Sequence, residues 1–292
     1  LVADQVILTV TVTESVPESA ERYIHSFDPV EQARLIRQGR VLEPYIQHHV
    51  DFSGCTSVLE VGCGVGAQLH VLLQRFPKVH FTGIDRSPVQ LNHARQFLGE
   101  AIMAGRVELR EASAYELPFP DNHFDGVCIY FVLEHLAQPL PVLREVLRVL
   151  KPGGIFYCTE VFNSGLYAWP EKPGLQAYWR AFNQLQSELG GDPDVGIKLP
   201  ALFEAAGFTD MTEFDASAQM DSRMPGLEQR RDFIDFWQAL LLSAAPQLEK
   251  HGRIADRDIA ALKADFASLA DMPEAIFRYC SMQTRGLKPT EN

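Results

Sequence analysis

Five cysteines in 292 residues, Cys55, Cys63, Cys128, Cys158 and Cys280, leave the chain without a CxxC pair or a Cys/His cluster. A disulfide framework and a zinc centre are therefore excluded, and no metal site is expected. The thiols read as buried, reduced side chains of a cytoplasmic protein. The His48-His49 pair reads as a solvated helix end. Positive charge is also scarce: 26 Lys and Arg stand against 38 Asp and Glu, a formal net charge of −12. With no segregated basic patch, such a chain repels phosphate backbones and anionic membrane surfaces, so neither nucleic acid nor membrane is an expected partner. No apolar run is long enough to span a bilayer. Leu1 to Thr13 is apolar but carries Asp4, lacks a basic start and alternates like a strand, unlike a signal peptide. Internal repeats and low-complexity tracts are absent.

What is present is ordinary for a folded chain, 46% apolar and 22% charged, with length enough for one large domain or a core with a lid. Residues 55–162 alternate strand and helix signals, which predicts a parallel sheet covered by helices. The strands fall at Ser57–Val61, Val79–Ile84, Val107–Arg110, Gly126–Phe131 and Ile155–Thr159. Leu69, Leu72, Leu73 and Phe76 give the first helix an apolar stripe. Ser87 and Pro88 open the second as N-cap and first helical residue. A third, Pro139–Leu150, carries Leu140, Leu143, Leu147 and Leu150 and is stopped by Lys151-Pro152-Gly153-Gly154.

The flanks read differently. Residues 17–50 are helical, with Asp28-Pro29 as a start signal. An aromatic stretch (Tyr167, Trp169, Tyr178, Trp179, Phe182) precedes a helix from Leu199 that Gly207 caps. Two or three helices follow over 224–272, then a returning strand, Ala275–Met282. The organisation predicted is a helical cap at 1–51, a binding core at 52–162, a lid insertion at 163–195, more core at 196–219, a helical lid at 220–273, and a last core strand with tail at 274–292.

The chemistry concentrates at two strand ends. Val58-Leu59-Glu60-Val61-Gly62-Cys63-Gly64-Val65-Gly66 is a buried strand ending in a carboxylate, then a turn with few side chains to obstruct a ligand. Asp85 closes the next strand. A carboxylate beside two vicinal hydroxyls accepts two charge-assisted hydrogen bonds, so these acids suit a ligand with a ribose diol and a cationic end. A pyrophosphate would be repelled, which disfavours a nicotinamide-dependent dehydrogenase.

At these residues the chain resembles the class I S-adenosylmethionine-dependent methyltransferases. Further motifs follow in order: Gly83-Ile84-Asp85-Arg86-Ser87, Leu117-Pro118-Phe119-Pro120-Asp121-Asn122-His123-Phe124-Asp125, Val132-Leu133-Glu134-His135-Leu136, and Leu150-Lys151-Pro152-Gly153-Gly154. The resemblance covers about residues 20 to 215. It implies an α/β, Rossmann-like, mostly parallel seven-stranded sheet with helices on both faces and an added helical lid. It also implies S-adenosyl-L-methionine as cofactor. Carried over, Glu60, Gly62, Cys63, Gly64 and Gly66 cradle the methionine end and Asp85 holds the ribose. Arg86 and Gln90 line the adenosine. Ser113 and Ala114 stand where many relatives have an Asp-Ala pair for the adenine amino group. Tyr130 and Phe131 face the transferred methyl, and Tyr23 and Gln38 close over the cofactor.

Glu134 and His135 are the catalytic candidates, set to orient or deprotonate the acceptor; the same dipeptide can instead simply pin a loop. Asp125, at a strand start, reads as a structural acceptor of hydrogen bonds. The aromatic stretch reads as a lid that shapes the acceptor site. The function expected is methyl transfer to an O, N or C atom of a small, apolar or aromatic molecule, with a cationic amine also compatible with aromatic walls. The alternative is a catalytically silent, cofactor-binding scaffold.

Overall fold

A computed structural model describes residues 24–25 and 29–290. The first 23 residues, including the strand-like Leu1–Thr13 and Tyr23, and also Asp28, lie outside the described residues.

The strands β1 (Ser57–Val61), β2 (His80–Asp85), β3 (Val107–Glu111), β4 (Phe124–Tyr130), β5 (Leu150–Val161), β7 (Thr209–Asp215) and β10 (Ser281–Leu287) form one seven-stranded sheet in the order β3-β2-β1-β4-β5-β10-β7. β1 pairs in parallel with β2 on one side and β4 on the other. β10 alone runs antiparallel to its neighbours β5 and β7. The strand order therefore reverses at β1, and the chain leaves β1 and β4 towards opposite sides. A crevice opens there at the strands' C-terminal ends, because the crossovers diverge.

Strand alternation gives the sheet two apolar faces. Leu59, Val61, Val127 and Ile129 pack with α5 (Pro139–Val149) and α7 (Leu199–Ala206). Val58, Phe81 and Cys128 pack with Leu42 and Ile46 of α1 (Pro29–Ile46) and Leu69 and Leu72 of α2 (Ala67–Arg75). That second core runs on into a lid without a break, through Tyr178 of α6 (Pro173–Glu188), Trp237 of α8 (Leu227–Leu242) and Phe266 of α10 (Asp256–Asp271). The lid adds a small antiparallel sheet, β6 (Tyr167–Trp169), β9 (Ile276–Tyr279) and β8 (Ala218–Met220).

Ser87 caps the helix Pro88–Phe97 by accepting the Gln90 amide, and Gly207 ends α7 at φ 104°. Three expectations need correction. Ala275–Met282 is two strands in two sheets, β9 in the lid and β10 in the core, with the switch at Cys280. The buried face of α5 is Val142, Leu143, Val146 and Val149, so Leu140 and Leu147 lie at its margin and Leu150 already belongs to β5. Phe76 lies just past the end of α2, where Val71 completes the buried set.

Asp125 ties the sheet's N-terminal edge together. Its carboxylate accepts the Thr56 and Ser57 amides (2.9 and 3.0 Å), the Thr56 hydroxyl (2.6 Å) and Lys151 Nζ (2.6 Å). Burial opposes its ionisation, but these hydrogen bonds from Lys151, Thr56 and Ser57 outweigh it and hold the carboxyl well below the usual range. Asp125→Ala is expected to cost about 1–3 kcal/mol in urea unfolding at about pH 7. A depressed folded pKa stabilises above the unfolded value, so the wild-type advantage should shrink as pH falls to about 3.

Candidate active site

The crevice is a cavity of about 250 Å³. On its floor, the Ile84 carbonyl accepts the amides of both Gly62 and Cys63 at 2.8 Å, which folds the turn back over β2. Gly62 (φ 75°) and Gly64 (φ 50°) adopt left-handed backbone that side chains resist. A Cβ on Gly62 would come within 2.4 Å of Val132, whereas one on Gly64 would meet nothing within 4 Å. Gly62 is thus required by packing, and Gly64 presents bare main chain to the cavity. Gly66, expected beside them, lies one step back, where it starts α2 against Leu98.

Asp85 accepts the Gly64 amide at 2.9 Å and the Ser87 amide at 2.8 Å, which fixes both carboxylate oxygens at the cavity edge. Burial raises its pKa against the pull of these amides. Glu60 is 2% exposed, and its Oε2 has no hydrogen-bond partner. Burial, and then repulsion from Asp85, push it well above the usual range. Gln90, also buried, leaves its Oε1 unpartnered. Two buried oxygens without a partner thus share the wall of one cavity with Asp85. Such atoms cost about 1–3 kcal/mol each unless a donor meets them, and an ammonium, a ribose hydroxyl or an adenine amino group is such a donor.

Arg86, Ser113, Ala114 and Gln38 border the same cavity. The Ser113 hydroxyl accepts the Tyr115 amide at 3.2 Å and keeps its own proton to donate. Tyr130 also borders the cavity, and its hydroxyl donates to Gln47 Oε1 at 3.2 Å. Phe131 turns the chain at the lip with φ 56°, a conformation that costs a bulky residue about 1–3 kcal/mol.

Glu134 and His135 sit on a short 3₁₀ turn, Leu133–His135, at the far rim. The turn is held by fully buried Glu160, whose carboxylate accepts the amides of Val132, Leu133 and Glu134 at 2.8, 2.7 and 3.3 Å. Glu134 Oε2 accepts Gln186 Nε2 at 2.7 Å, while its Oε1 lies 3.8 Å from His135 Nε2, beyond a hydrogen bond. Burial raises the Glu134 carboxyl to about 7. It also lowers His135 to about 3, helped by the charge of Arg86, so the imidazole is neutral at pH 7.

Several cavity residues carry no motif. His25 and Arg34 come from before and within α1, Phe182 from α6, Trp237 and Leu240 from α8, and Tyr279 from β9. Trp237 and Tyr279 stack with ring centroids 4.1 Å apart. The only sequence sign of Arg34 is its spacing from Glu31 and Gln38, which places all three along one side of a helix.

A methyltransferase domain family model matches residues 59–158. The chain is 35% identical over 170 residues to a demethylmenaquinone methyltransferase of Listeria welshimeri, covering 53% of this chain and 70% of that one. Among solved structures, the [4+2]-cyclase SpnF is similar at 25% identity and TM-score 0.51, over 88% of this chain and 81% of SpnF. The Haemonchus contortus phosphoethanolamine N-methyltransferase 2 complex with S-adenosyl-L-methionine matches in fold, at 16% identity and TM-score 0.53, over 86% of this chain and 53% of that one. The chain belongs to the class I S-adenosylmethionine-dependent methyltransferases. Its cofactor is S-adenosyl-L-methionine, the methyl donor, and the orphaned acceptors and bare Gly64 fit that molecule.

The raised Glu134 carboxyl has a measurable consequence. The folded chain binds more protons than the unfolded one between the usual carboxylate range and about 7. Stability at this group is therefore lost as pH rises through that window. Glu134→Gln, neutral and nearly isosteric, should gain on wild type in urea unfolding between about pH 5 and about pH 8.

Proposed function

We propose that this methyltransferase acts on an O, N or C atom of a small molecule with an apolar or aromatic body. The observation that carries the reading is a single cavity in which the glycine turn and Asp85 share walls with Phe182, Trp237, Leu240 and Tyr279. The name of the Listeria relative, a demethylmenaquinone methyltransferase, supports a small-molecule acceptor of that kind. In this reading residues 163–195 and 220–273 act as the lid. Five unpaired cysteines fit a reducing compartment, and the cytoplasm is the location proposed. No helix among the described residues is long and apolar enough to cross a membrane. Space beside the catalytic candidates favours transfer over the silent scaffold, whose acceptor cavity would be blocked.

Asp85 would take the ribose hydroxyls, and Glu60 with the amides and open face of Gly62, Cys63 and Gly64 would take the methionine end. Gln90, Arg86, Ser113 and Ala114 would line the adenosine, and Gln38 would cover it. When bound, the sulfonium supplies a methyl group already activated for in-line displacement. The protein's work is then to align and enclose: Tyr130 and Phe131 wall the methyl position, and the lid excludes water. Where the acceptor arrives protonated, Glu134 is the better proton acceptor near neutral pH, because its pKa is raised towards 7 while that of His135 is depressed.

Calorimetric titration with S-adenosyl-L-methionine and S-adenosylhomocysteine tests the cofactor half. Wild type should bind both, and Asp85→Ala should weaken binding by about two orders of magnitude, the loss of two charge-assisted hydrogen bonds. An unchanged affinity in Asp85→Ala would remove the aspartate from the site. Turnover against a panel of hydroxylated and keto-bearing aromatic compounds tests the acceptor half.

A further inference from the structure

We infer that the acceptor carries a hydrogen-bond-accepting oxygen, carbonyl or phenolic, on its apolar body, and that Arg34 receives it; the inference rests on the function proposed above. Arg34 borders the cavity and is 8% exposed. A guanidinium has five N–H donors. Two bind Glu31, from Nε to Oε2 at 2.7 Å and from Nη2 to Oε1 at 2.6 Å, and a third goes from Nη1 to Gln38 Oε1 at 2.6 Å. The other two, one on each terminal nitrogen, have no acceptor among the described residues.

The bidentate Glu31 clamp fixes the plane of the guanidinium and balances its charge. Arg34 is left with a held pair of free donors rather than as a sink for a full anion. It acts at the catalytic rim: its charge is felt by Glu134, Tyr279 and His25, all of which line the cavity. An oxygen seated there would satisfy donors whose burial unpaired is costly.

Beside Arg34 an ammonium group is the poorer fit. Arg34 offers it only N–H donors, and burial together with Arg34 holds the His25 imidazole well below its usual pKa. The aromatic walls offer little in exchange, because Trp237 and Tyr279 each spend one ring face on the other at 4.1 Å. The cationic amine that the aromatic stretch alone allows is thus displaced by an oxygen-bearing molecule.

The test uses the full chain saturated with S-adenosylhomocysteine and three probes with one body: ortho-hydroxyacetophenone, benzylamine and ethylbenzene. By calorimetry the hydroxyketone should bind at least about tenfold tighter than either of the others. In the Glu31→Gln/Arg34→Met double variant, which removes the charge pair together, its advantage should fall to within about threefold. Circular dichroism melting and a repeat titration with S-adenosylhomocysteine monitor the variant's fold. Equal or tighter binding of benzylamine to wild type overturns the inference, as does no binding of the hydroxyketone or an advantage that survives in a folded double variant. Failure of wild type to bind S-adenosylhomocysteine would instead sink the proposed function, and the inference with it.

Discussion

The hydrogen bond from the Gly64 amide to Asp85 joins a turn after β1 to the tip of β2, and the geometry of the crevice depends on it. Parallel pairing sets Val61 opposite Ile84. The Ile84 carbonyl then gathers the Gly62 and Cys63 amides, and the Asp85 carbonyl takes the Ala112 amide from beyond β3. Three consecutive connections are thereby tied to two residues of one strand. The consequence is electrostatic: the fold brings Glu60 and Asp85 close enough for each other's charge to matter, in a place with little water. Two such acids are stable together only if one holds a proton or a cation shares the site. A ligand with a positive sulfur and an ammonium group supplies that cation.

The opposite rim is built on a comparable restraint. Glu160 gathers the amides that begin the 3₁₀ turn, and so decides where Glu134 and His135 sit. From Glu134 a chain of hydrogen bonds leads into the lid: Gln186 binds Glu134, Asn163 binds Gln186 at 3.3 Å, and the Asn163 carbonyl receives Trp179 Nε1 at 2.7 Å. The lid is therefore keyed to the rim by polar contacts with defined directions, as well as by apolar cover. Each of these groups is buried, so shifting the lid would break bonds that water does not replace.

The core and the wall of the cavity built from the glycine turn and Asp85 were legible in the sequence because both rest on local signals. Alternating β and α patterns specify a parallel sheet, and Gly62, Gly64 and Asp85 are spaced by the chain itself. The opposite wall was not legible. His25, Arg34, Phe182, Trp237 and Tyr279 come from separate segments joined only by tertiary packing, and no local pattern distinguishes them from core residues. The aromatic stretch announced Phe182 but not which of its rings would face the cavity; Tyr178 points instead to the Leu241 carbonyl at 3.0 Å. The split of Ala275–Met282 between two sheets was hidden for the same reason, since both halves have strand-like composition. Asp125, read as structural, receives four donors on its two oxygens, the amides of Thr56 and Ser57, the Thr56 hydroxyl and Lys151.

Both rims pair a carboxylate occupied by the fold with one left to meet something else. Asp85 and Glu160 each accept backbone amides on both oxygens, so removing either would release a turn as well as a charge. Glu60 keeps one oxygen without any partner, and Glu134 has one oxygen on a lid glutamine and the other facing a neutral imidazole beyond bonding distance. In each pair burial raises both acids, and mutual repulsion keeps them from ionising together. In the first pair the amides favour charge on Asp85, and Glu60, raised further, holds the proton; between Glu134 and Glu160 burial and repulsion keep at least one proton. A buried acid that keeps its proton can donate a hydrogen bond, and it can also release that proton once a cation arrives. In the reading proposed above, Glu60 would meet a positively charged ligand end and Glu134 would serve proton traffic at the acceptor, while the amides on Asp85 and Glu160 keep their turns in place.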